Sequence, residues 1–196
     1  MKVAFKTVGC KLNFSETSTI SREFTKNGYE KVDFDKKSDI YIINTCSVTQ
    51  NADKEFKYLV NKTKKNNPNS YVVAVGCYAQ LKPKEISSID GVDLVLGADK
   101  KFDILNYLEF DKKISQNYHS CHISDVNKFK PSYSFGDRSR SFLKIQDGCD
   151  YQCSYCTIPL ARGKSRSPSV ENVTDSIKSL LDKGVKEVVL TGVNIG

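Results

Sequence analysis

The first hundred residues alternate short, β-branched apolar runs with longer amphipathic stretches. Strands of a parallel sheet covered on both faces form continuous Val- and Ile-rich runs, and the helices between them carry one apolar stripe. The runs predict strands at Lys2–Val8, Asp39–Asn44, Tyr71–Val75 and Val92–Leu96. The stretches between them predict helices around Glu16–Lys26 and Ala52–Lys65. This alternation indicates an α/β domain with a largely parallel sheet, which we expect at residues 1–110.

A second, shorter βαβ pattern follows a polar stretch. The polar stretch predicts a linker at residues 111–137, with one short strand near His122–Val126. Residues 138–196 predict a strand in "SFLKIQDG", a helix in "SPSVENVTDSIKSLLDKG" and a second strand in "VKEVVLTGV". The helix is expected to have Ser167 as its N-cap and Pro168 as its first residue. Its expected apolar stripe comprises Val170, Val173, Ile177, Leu180 and Leu181.

Charge and hydropathy restrict the class of protein. Lys+Arg 30 against Asp+Glu 23 give a formal net charge of +7, which suits a polyanionic partner such as RNA and also occurs in proteins without one. No apolar run reaches the roughly 18 residues that a membrane span requires. The start "MKVAFKTVGC" has no signal-peptide core, so a cytoplasmic protein is predicted. Seven cysteines in a reducing compartment favour metal or redox chemistry over disulfides.

Three cysteines each follow the carboxyl end of a predicted strand. Cys10 follows "FKTVG", Cys46 follows "YIINT" and Cys77 follows "VVAVG"; we call them the strand-end cysteines. Open α/β sheets bind ligands at this edge, and neighbouring strands are about 4.8 Å apart, so three such loops can bring three thiolates to one cluster. The alternative is that each packs as a small buried hydrophobic residue. Their equivalent positions favour metal binding.

The stretch "DGCDYQCSYC" holds Cys149, Cys153 and Cys156, the loop cysteines, in a C-x3-C-x2-C spacing. Three thiolates on one tight loop can bind three irons of a [4Fe–4S] cluster and leave the fourth iron open to a substrate's amine and carboxylate. A structural zinc ion is the alternative, and it requires a fourth ligand. Tyr155 is a candidate to pack its ring against a flat ligand, with ordinary packing as the alternative.

The seventh cysteine, Cys121, lies in "HSCH" within the predicted linker. His119 and His122 are candidate metal companions for it. The alternative is a surface thiol beside two ordinary imidazoles.

Five motifs in order resemble one enzyme family. "GCDYQCSYC" after a strand is similar to the radical S-adenosylmethionine motif, and "TVGCKLNFSET", "NTCSV", "VGCYAQ", "GCDYQCSYCTIPLARG" and "LTGVNIG" together resemble the radical SAM methylthiotransferases. The similarity is greatest to their threonylcarbamoyladenosine tRNA branch. It implies an N-terminal α/β methylthiotransferase domain followed by the first βαβ portion of a partial (β/α) barrel. Because family members continue through more barrel strands and an RNA-binding β-barrel, these 196 residues are expected to be a fragment that is inactive alone.

The resemblance implies a two-cluster enzyme that modifies tRNA. The loop cysteines would hold the cluster whose open iron binds S-adenosylmethionine, and the strand-end cysteines an auxiliary [4Fe–4S] cluster that carries or receives sulfur. One S-adenosylmethionine methylates the sulfur, and another is reductively cleaved to a 5′-deoxyadenosyl radical that activates C2 of adenosine 37 in the anticodon loop. The product is 2-methylthio-N6-threonylcarbamoyladenosine. An electron donor and a sulfur donor are further implied partners.

Additional candidates follow the loop cysteines. In "ARGKSRS", Arg162, Lys164 and Arg166 are candidates to contact the cofactor carboxylate or tRNA phosphates, with a solvated loop as the alternative. The resemblance makes Asn194, in "TGVN", a candidate to support the cofactor, whereas Gly192 permits close backbone approach.

Two other functions compete with tRNA methylthiolation. One is methylthiolation of a ribosomal-protein aspartate. The motif "GCKLN" and the net positive charge favour tRNA as the substrate over this protein. The other is a non-catalytic module that binds an iron–sulfur cluster or zinc and docks on RNA.

Overall fold

A six-stranded parallel sheet with helices on both faces makes up the first part of the chain. The computed structural model describes residues 1–46, 52–108, 117–136 and 140–195. The strands of this sheet are β1 (Lys2–Thr7), β2 (Glu30–Val32), β3 (Ile40–Thr45), β4 (Tyr71–Gly76), β5 (Leu94–Leu96) and β6 (Tyr118–His119). Their order is β2-β1-β3-β4-β5-β6, and every neighbouring pair is parallel. The four predicted strands and the predicted α/β class are therefore confirmed.

Helices cover both faces of this sheet. They are α1 (Lys11–Lys26), α2 (Ala52–Asn66), α3 (Cys77–Leu81), α4 (Pro83–Ser87) and two short 3-10 helices at Ile104–Tyr107 and Ile123–Asp125. None of the helices in the described residues is long and apolar enough to cross a membrane.

The central strand β3 shows why its run is continuously apolar. Ile40 and Ile42 pack into one hydrophobic cluster, with Phe24 of α1, and Tyr41 and Ile43 pack into the cluster on the opposite face. All four are 0% exposed. Because successive side chains of a strand point to opposite faces, a strand covered on both sides favours apolar residues at successive positions, and in β3 these precede the buried polar Asn44 and Thr45 at its carboxyl end.

Helix α1 begins at Lys11, five residues before the predicted start at Glu16. Its first turns carry buried polar side chains, among them Asn13, Ser15 and Glu16. These side chains hide the helical periodicity, because the sequence pattern assumes that polar residues face water. The predicted end is confirmed: Asn27 is the C-cap, and Gly28 follows with a φ of +83°.

The polar stretch between the two βαβ patterns forms hydrogen bonds with a strand of each pattern. Its described part, residues 117–136, supplies β6, but at His122–Val126 the predicted strand is wrong, since Ile123–Asp125 form a 3-10 helix there. Further on, Ser132 and Ser134 exchange backbone and side-chain hydrogen bonds with residues 141–144. The residues at 109–116 and 137–139 lie outside the described part.

The second unit contains β7 (Ser141–Lys144), α5 (Ile158–Arg162), α6 (Val170–Asp182) and β8 (Val188–Thr191). As predicted, β7 and β8 pair in parallel and α6 lies between them in the chain. β7 also packs on α1, where the Phe14 and Phe142 ring centroids lie 5.8 Å apart in an edge-to-face arrangement.

Two details of α6 differ from the prediction. Its N-cap is Ser169, not Ser167, because Ser169 has extended backbone angles and its side chain accepts a hydrogen bond from the Asn172 amide at 3.3 Å. Pro168 therefore precedes the cap. Of the predicted apolar stripe only Leu180 is fully buried, whereas Val170 is 77% and Leu181 55% exposed. A two-stranded sheet is too narrow to cover a full helical stripe.

Candidate functional site

The strand-end cysteines lie at the carboxyl ends of three adjacent strands, as predicted. Cys10 is the N-cap of α1 after β1, Cys46 follows β3, and Cys77 is the first residue of α3 after β4. The register aligns Thr7 with Asn44 and Thr45 with Gly76, so the strands end at nearly the same level. Their role as metal ligands remains a prediction.

The side chain of Asn13 ties the loops of this site together. Its Nδ2 donates to the carbonyls of Val8 at 3.1 Å and Thr45 at 3.0 Å, which precede Cys10 and Cys46. Its Oδ1 lies 3.8 Å from the Sγ of Cys10. A fully buried amide that bonds two loops fixes their relative position.

Glycines with positive φ precede three of the cysteines, namely Gly9, Gly76 and Gly148. At Gly9, where φ is +119°, a Cβ atom would lie 2.8 Å from the Cβ and 3.0 Å from the Sγ of Cys46. The backbone before Cys10 can therefore approach Cys46 closely only because residue 9 has no side chain.

The three strand-end thiols differ in exposure. Cys10 is exposed, Cys46 is partly buried and Cys77 is buried. Burial raises the pKa of the Cys77 thiol, while the positive charges of Arg162 and Lys101 act in the opposite direction. A bound metal replaces the thiol proton, and its charge holds a buried thiolate in the ionised form.

The loop cysteines lie between β7 and α5. The base of their loop is closed by paired backbone hydrogen bonds between Asp147 and Arg166, at 2.9 and 2.8 Å, and by the Cys149 amide, which donates to the Gly163 carbonyl at 3.0 Å. A further bond from the Cys156 amide to the Cys153 carbonyl, at 3.0 Å, tightens the turn. Cys153 is exposed, and Cys149 lines an open cavity of about 480 Å³.

The two cysteine sites are neighbours. Helix α5, which follows the loop cysteines, packs against α3, which begins at Cys77. The side chain of Arg162, the last residue of α5, reaches α1 and donates from Nη2 to the Oδ1 of Asn13. One hydrogen-bonded path therefore runs from the end of α5 to the loop that carries Cys10.

Arg162 belongs to a set of five buried charged side chains, which we call the buried ion network: Glu16, Lys101, Lys144, Asp147 and Arg162. Glu16 lies at its centre. Its carboxylate is 2.8 Å from the Nζ of Lys101, 3.1 Å from the Nζ of Lys144 and 3.1 Å from Nη1 of Arg162. Asp147 binds the same Nη1 at 2.8 Å.

The positive charges of this network overcome the penalty of burying its two carboxylates. Burial alone would raise the pKa of Glu16, but Arg162, Lys101 and Lys144 hold it well below its usual range. Burial would also raise the pKa of Asp147, but Arg162 and Lys144 lower it to about 2. Both carboxylates are therefore ionised at neutral pH.

The remaining candidate residues are Tyr155, Asn194 and Gly192. Tyr155 is 90% exposed. The backbone amide of Asn194 donates to Oε1 of Gln146 at 3.1 Å. A Cβ at Gly192 would lie 2.9 Å from the Cβ of Gln146, which confirms the predicted close approach of the backbone.

The predicted basic loop is partly buried. Lys164 is exposed, and Arg166 lies 3.6 Å from Asp147. Arg162 is only 3% exposed, so for this residue the alternative of a solvated side chain is wrong. The reason is that two buried carboxylates attract the guanidinium inward. The cofactor-binding roles of Tyr155, Arg162 and Asn194 remain predictions.

The two histidines of "HSCH" have partners other than Cys121. The ring of His119 packs on that of Tyr107 at a centroid distance of 4.9 Å, and Nδ1 of His122 lies 2.7 Å from the Oγ of Ser124. In the part of the chain that the structure describes, no three His, Cys, Asp or Glu side chains converge on a position for one metal ion.

Sequence reasoning did not identify several residues of the site. Asn13, Glu16 and Asp147 lie within motifs noted for their cysteines, so their proximity to a cysteine was the available signal. Lys101 and Lys144 carry no such signal, because lysine is almost always exposed and only the folded chain brings them to Glu16.

Replacing Gly9 by alanine should lower the free energy of unfolding more than replacing Gly28 does. Both residues have positive φ, so each alanine adds about 1–2 kcal/mol of backbone strain. At Gly28 a Cβ would meet nothing within 4 Å, whereas at Gly9 it would collide with Cys46. Overpacking adds about 1–3 kcal/mol. Denaturant unfolding of Gly9→Ala and the matched Gly28→Ala measures the difference, and equal losses would refute the close approach.

Comparisons with known proteins cover both parts of the chain. Residues 2–97 match the family described as "Uncharacterized protein family UPF0004", and residues 143–195 match the radical SAM superfamily. Membership of that superfamily implies use of S-adenosylmethionine and an iron–sulfur cluster.

Longer relatives match across both regions. The chain is 39% identical over 200 residues to the threonylcarbamoyladenosine tRNA methylthiotransferase MtaB of Aquifex aeolicus, with 100% of this chain and 48% of the relative covered. It is 40% identical over 199 residues to the MtaB of Bacillus subtilis, with 99% and 44% covered. A tRNA-2-methylthio-N(6)-dimethylallyladenosine synthase of Akkermansia muciniphila is 29% identical over 211 residues, with 97% and 46% covered.

The chain thus spans about half the length of the curated relatives it matches. Both domain matches occur in the order that the sequence motifs predict. Its sequence is similar to that of MtaB proteins and corresponds to the amino-terminal portion of such proteins. The chain belongs to the radical SAM methylthiotransferase family.

Proposed function

We propose that this chain provides the two iron–sulfur sites of a tRNA methylthiotransferase. Its substrate would be N6-threonylcarbamoyladenosine at position 37 of the anticodon loop, and its product the 2-methylthio derivative. The observation that carries the proposal is the contact between α3 and α5, which brings the strand-end cysteines next to the loop cysteines. A transfer reaction needs its activating site and its sulfur-carrying site close together.

The residues of both sites fit iron–sulfur clusters. Thiolate is the preferred ligand of such clusters, and the loop fixed at Gly163 and the three aligned strand ends each present three cysteines. Each thiolate of a cluster binds a different iron, so the sulfurs need not converge on one point. When bound, the clusters and S-adenosylmethionine supply the electron transfer, radical generation and sulfur transfer of the family.

The chain's own residues hold and shield these sites. Asn13 fixes the loops of Cys10 and Cys46. The backbone pairing of Asp147 with Arg166 closes the base of the loop that carries the loop cysteines. Tyr155 lies between Cys153 and Cys156, and Asn194 follows β8; both are proposed to contact S-adenosylmethionine, together with Arg162 at the end of α5. The exposed Lys164 is suited to a tRNA phosphate.

The assignment of tRNA rests on the relatives. MtaB proteins at 39% and 40% identity are named as threonylcarbamoyladenosine tRNA enzymes, and the relative at 29% identity carries a different tRNA adenosine in its name. The net charge of +7 is compatible with an RNA substrate. An electron donor and a sulfur donor in the cytoplasm complete the proposal.

Iron loading tests the two cysteine sites. Anaerobic reconstitution should give about eight irons per chain, because each [4Fe–4S] cluster contains four. Replacing all three loop cysteines by alanine should leave about four irons, and so should replacing all three strand-end cysteines. Cys121→Ala is the matched control and should keep about eight. One zinc and no iron in the parent chain would instead support a non-catalytic binding module.

Nucleoside analysis tests the substrate. Mass spectrometry of tRNA from cells that lack the gene for this chain should show loss of 2-methylthio-N6-threonylcarbamoyladenosine and accumulation of its unthiolated precursor. Restoring the gene should reverse the change. Loss of the methylthio group only from dimethylallyladenosine, or only from a ribosomal-protein aspartate, would refute the proposed substrate.

A further inference from the structure

The buried ion network contains more positive than negative charge. Glu16 and Asp147 contribute two carboxylates, whereas Lys101, Lys144 and Arg162 contribute three cations. None of these five side chains is more than 9% exposed. Because uncompensated buried charge is strongly unfavourable, a further anionic group close by would stabilise the arrangement.

A cluster bound by the strand-end cysteines would supply such an anionic group. Nη2 of Arg162 donates to Oδ1 of Asn13, and the same oxygen lies 3.8 Å from the Sγ of Cys10. Helix α5, whose last residue is Arg162, packs against α3, whose first residue is Cys77. Burial disfavours the charged form of Arg162, but Glu16 holds the pKa of its guanidinium well above its usual range, so the cation persists.

We infer that Arg162, held in place by Glu16, Asp147 and Asn13, stabilises the reduced form of the cluster bound by the strand-end cysteines. This inference rests on the proposed function, which assigns a cluster to those residues. When a [4Fe–4S] cluster with three thiolates takes up one electron from a reductant, its negative charge increases by one. A fixed cation nearby therefore stabilises the reduced form more than the oxidised form.

Arginine is suited to this task. Its guanidinium remains charged when buried, and its planar fork can bind two carboxylates and an amide at the same time. The contacts to Glu16 at 3.1 Å and to Asp147 at 2.8 Å leave the side chain no freedom to turn away. Arg162 thus acts on the cluster as a positioning residue, through its charge rather than as a ligand.

A redox titration followed by electron paramagnetic resonance tests the inference. The measurement uses the whole chain with the loop cysteines replaced by alanine, so that only the strand-end cluster contributes to the spectrum. Arg162→Gln should lower the equilibrium constant for reduction of the cluster about tenfold. This corresponds to a reduction potential that is about 59 mV lower for a one-electron step. Glu16→Gln removes a negative charge and should shift the constant in the opposite direction. The double variant should return towards the parent.

Opposite shifts separate an electrostatic role from structural damage. Loss of packing would change the potential in the same direction, or lose iron, in both single variants. Arg140→Gln is the control for removal of an arginine, because Arg140 is exposed and pairs with the exposed Glu187 at 3.4 Å; it should not shift the potential. If Arg162→Gln fails to fold, Glu16→Gln and Asp147→Asn still predict an upward shift.

The outcomes also separate this inference from the proposed function. A parent chain that binds no iron at the strand-end cysteines would overturn the proposed function, and the inference with it. Intact clusters with equal potentials in the parent, Glu16→Gln and Arg162→Gln would overturn the inference alone.

Discussion

The ion pair between Glu16 of α1 and Arg162 of α5 is the interaction on which the arrangement of the two parts depends. It joins residues 146 positions apart, and both side chains are almost fully buried. A buried pair of this kind adds little net stability compared with an apolar contact, but removing one partner costs about 3–5 kcal/mol. We therefore expect the pair to act mainly through specificity, because a shift of α5 relative to α1 would leave both buried charges without this partner.

That docking has a consequence for chemistry. A parallel sheet places Cys10, Cys46 and Cys77 at one edge, and a separate loop between β7 and α5 carries the other three cysteines. Neither part alone would set the distance between the two sites. The buried ion network and Asn13 fix it, and they also place positive charge near the strand-end cysteines, where an anionic cluster would be stabilised.

The sequence predicted the fold better than the site. Continuous apolar runs identified the strands because a strand covered on both faces buries successive side chains on opposite sides, as Ile40–Ile43 of β3 illustrate. The strand-end positions of the cysteines followed from those runs. The start of α1 and the inward direction of Arg162 were not predictable, since each depends on a contact with the other unit. Polar residues such as Glu16 and Lys144 follow solvent-facing patterns in the sequence, although tertiary contacts bury them.

The most direct test of this account is a double-mutant cycle between Glu16 and Arg162, measured by denaturant unfolding of the chain under reducing conditions. If the pair joins the two units, Glu16→Gln and Arg162→Gln will each lower the free energy of unfolding strongly, and the double variant will lose about 2–3 kcal/mol less than the sum of the single losses. Losses that add to within about 0.5 kcal/mol would contradict the account, because the two charges would then not depend on each other.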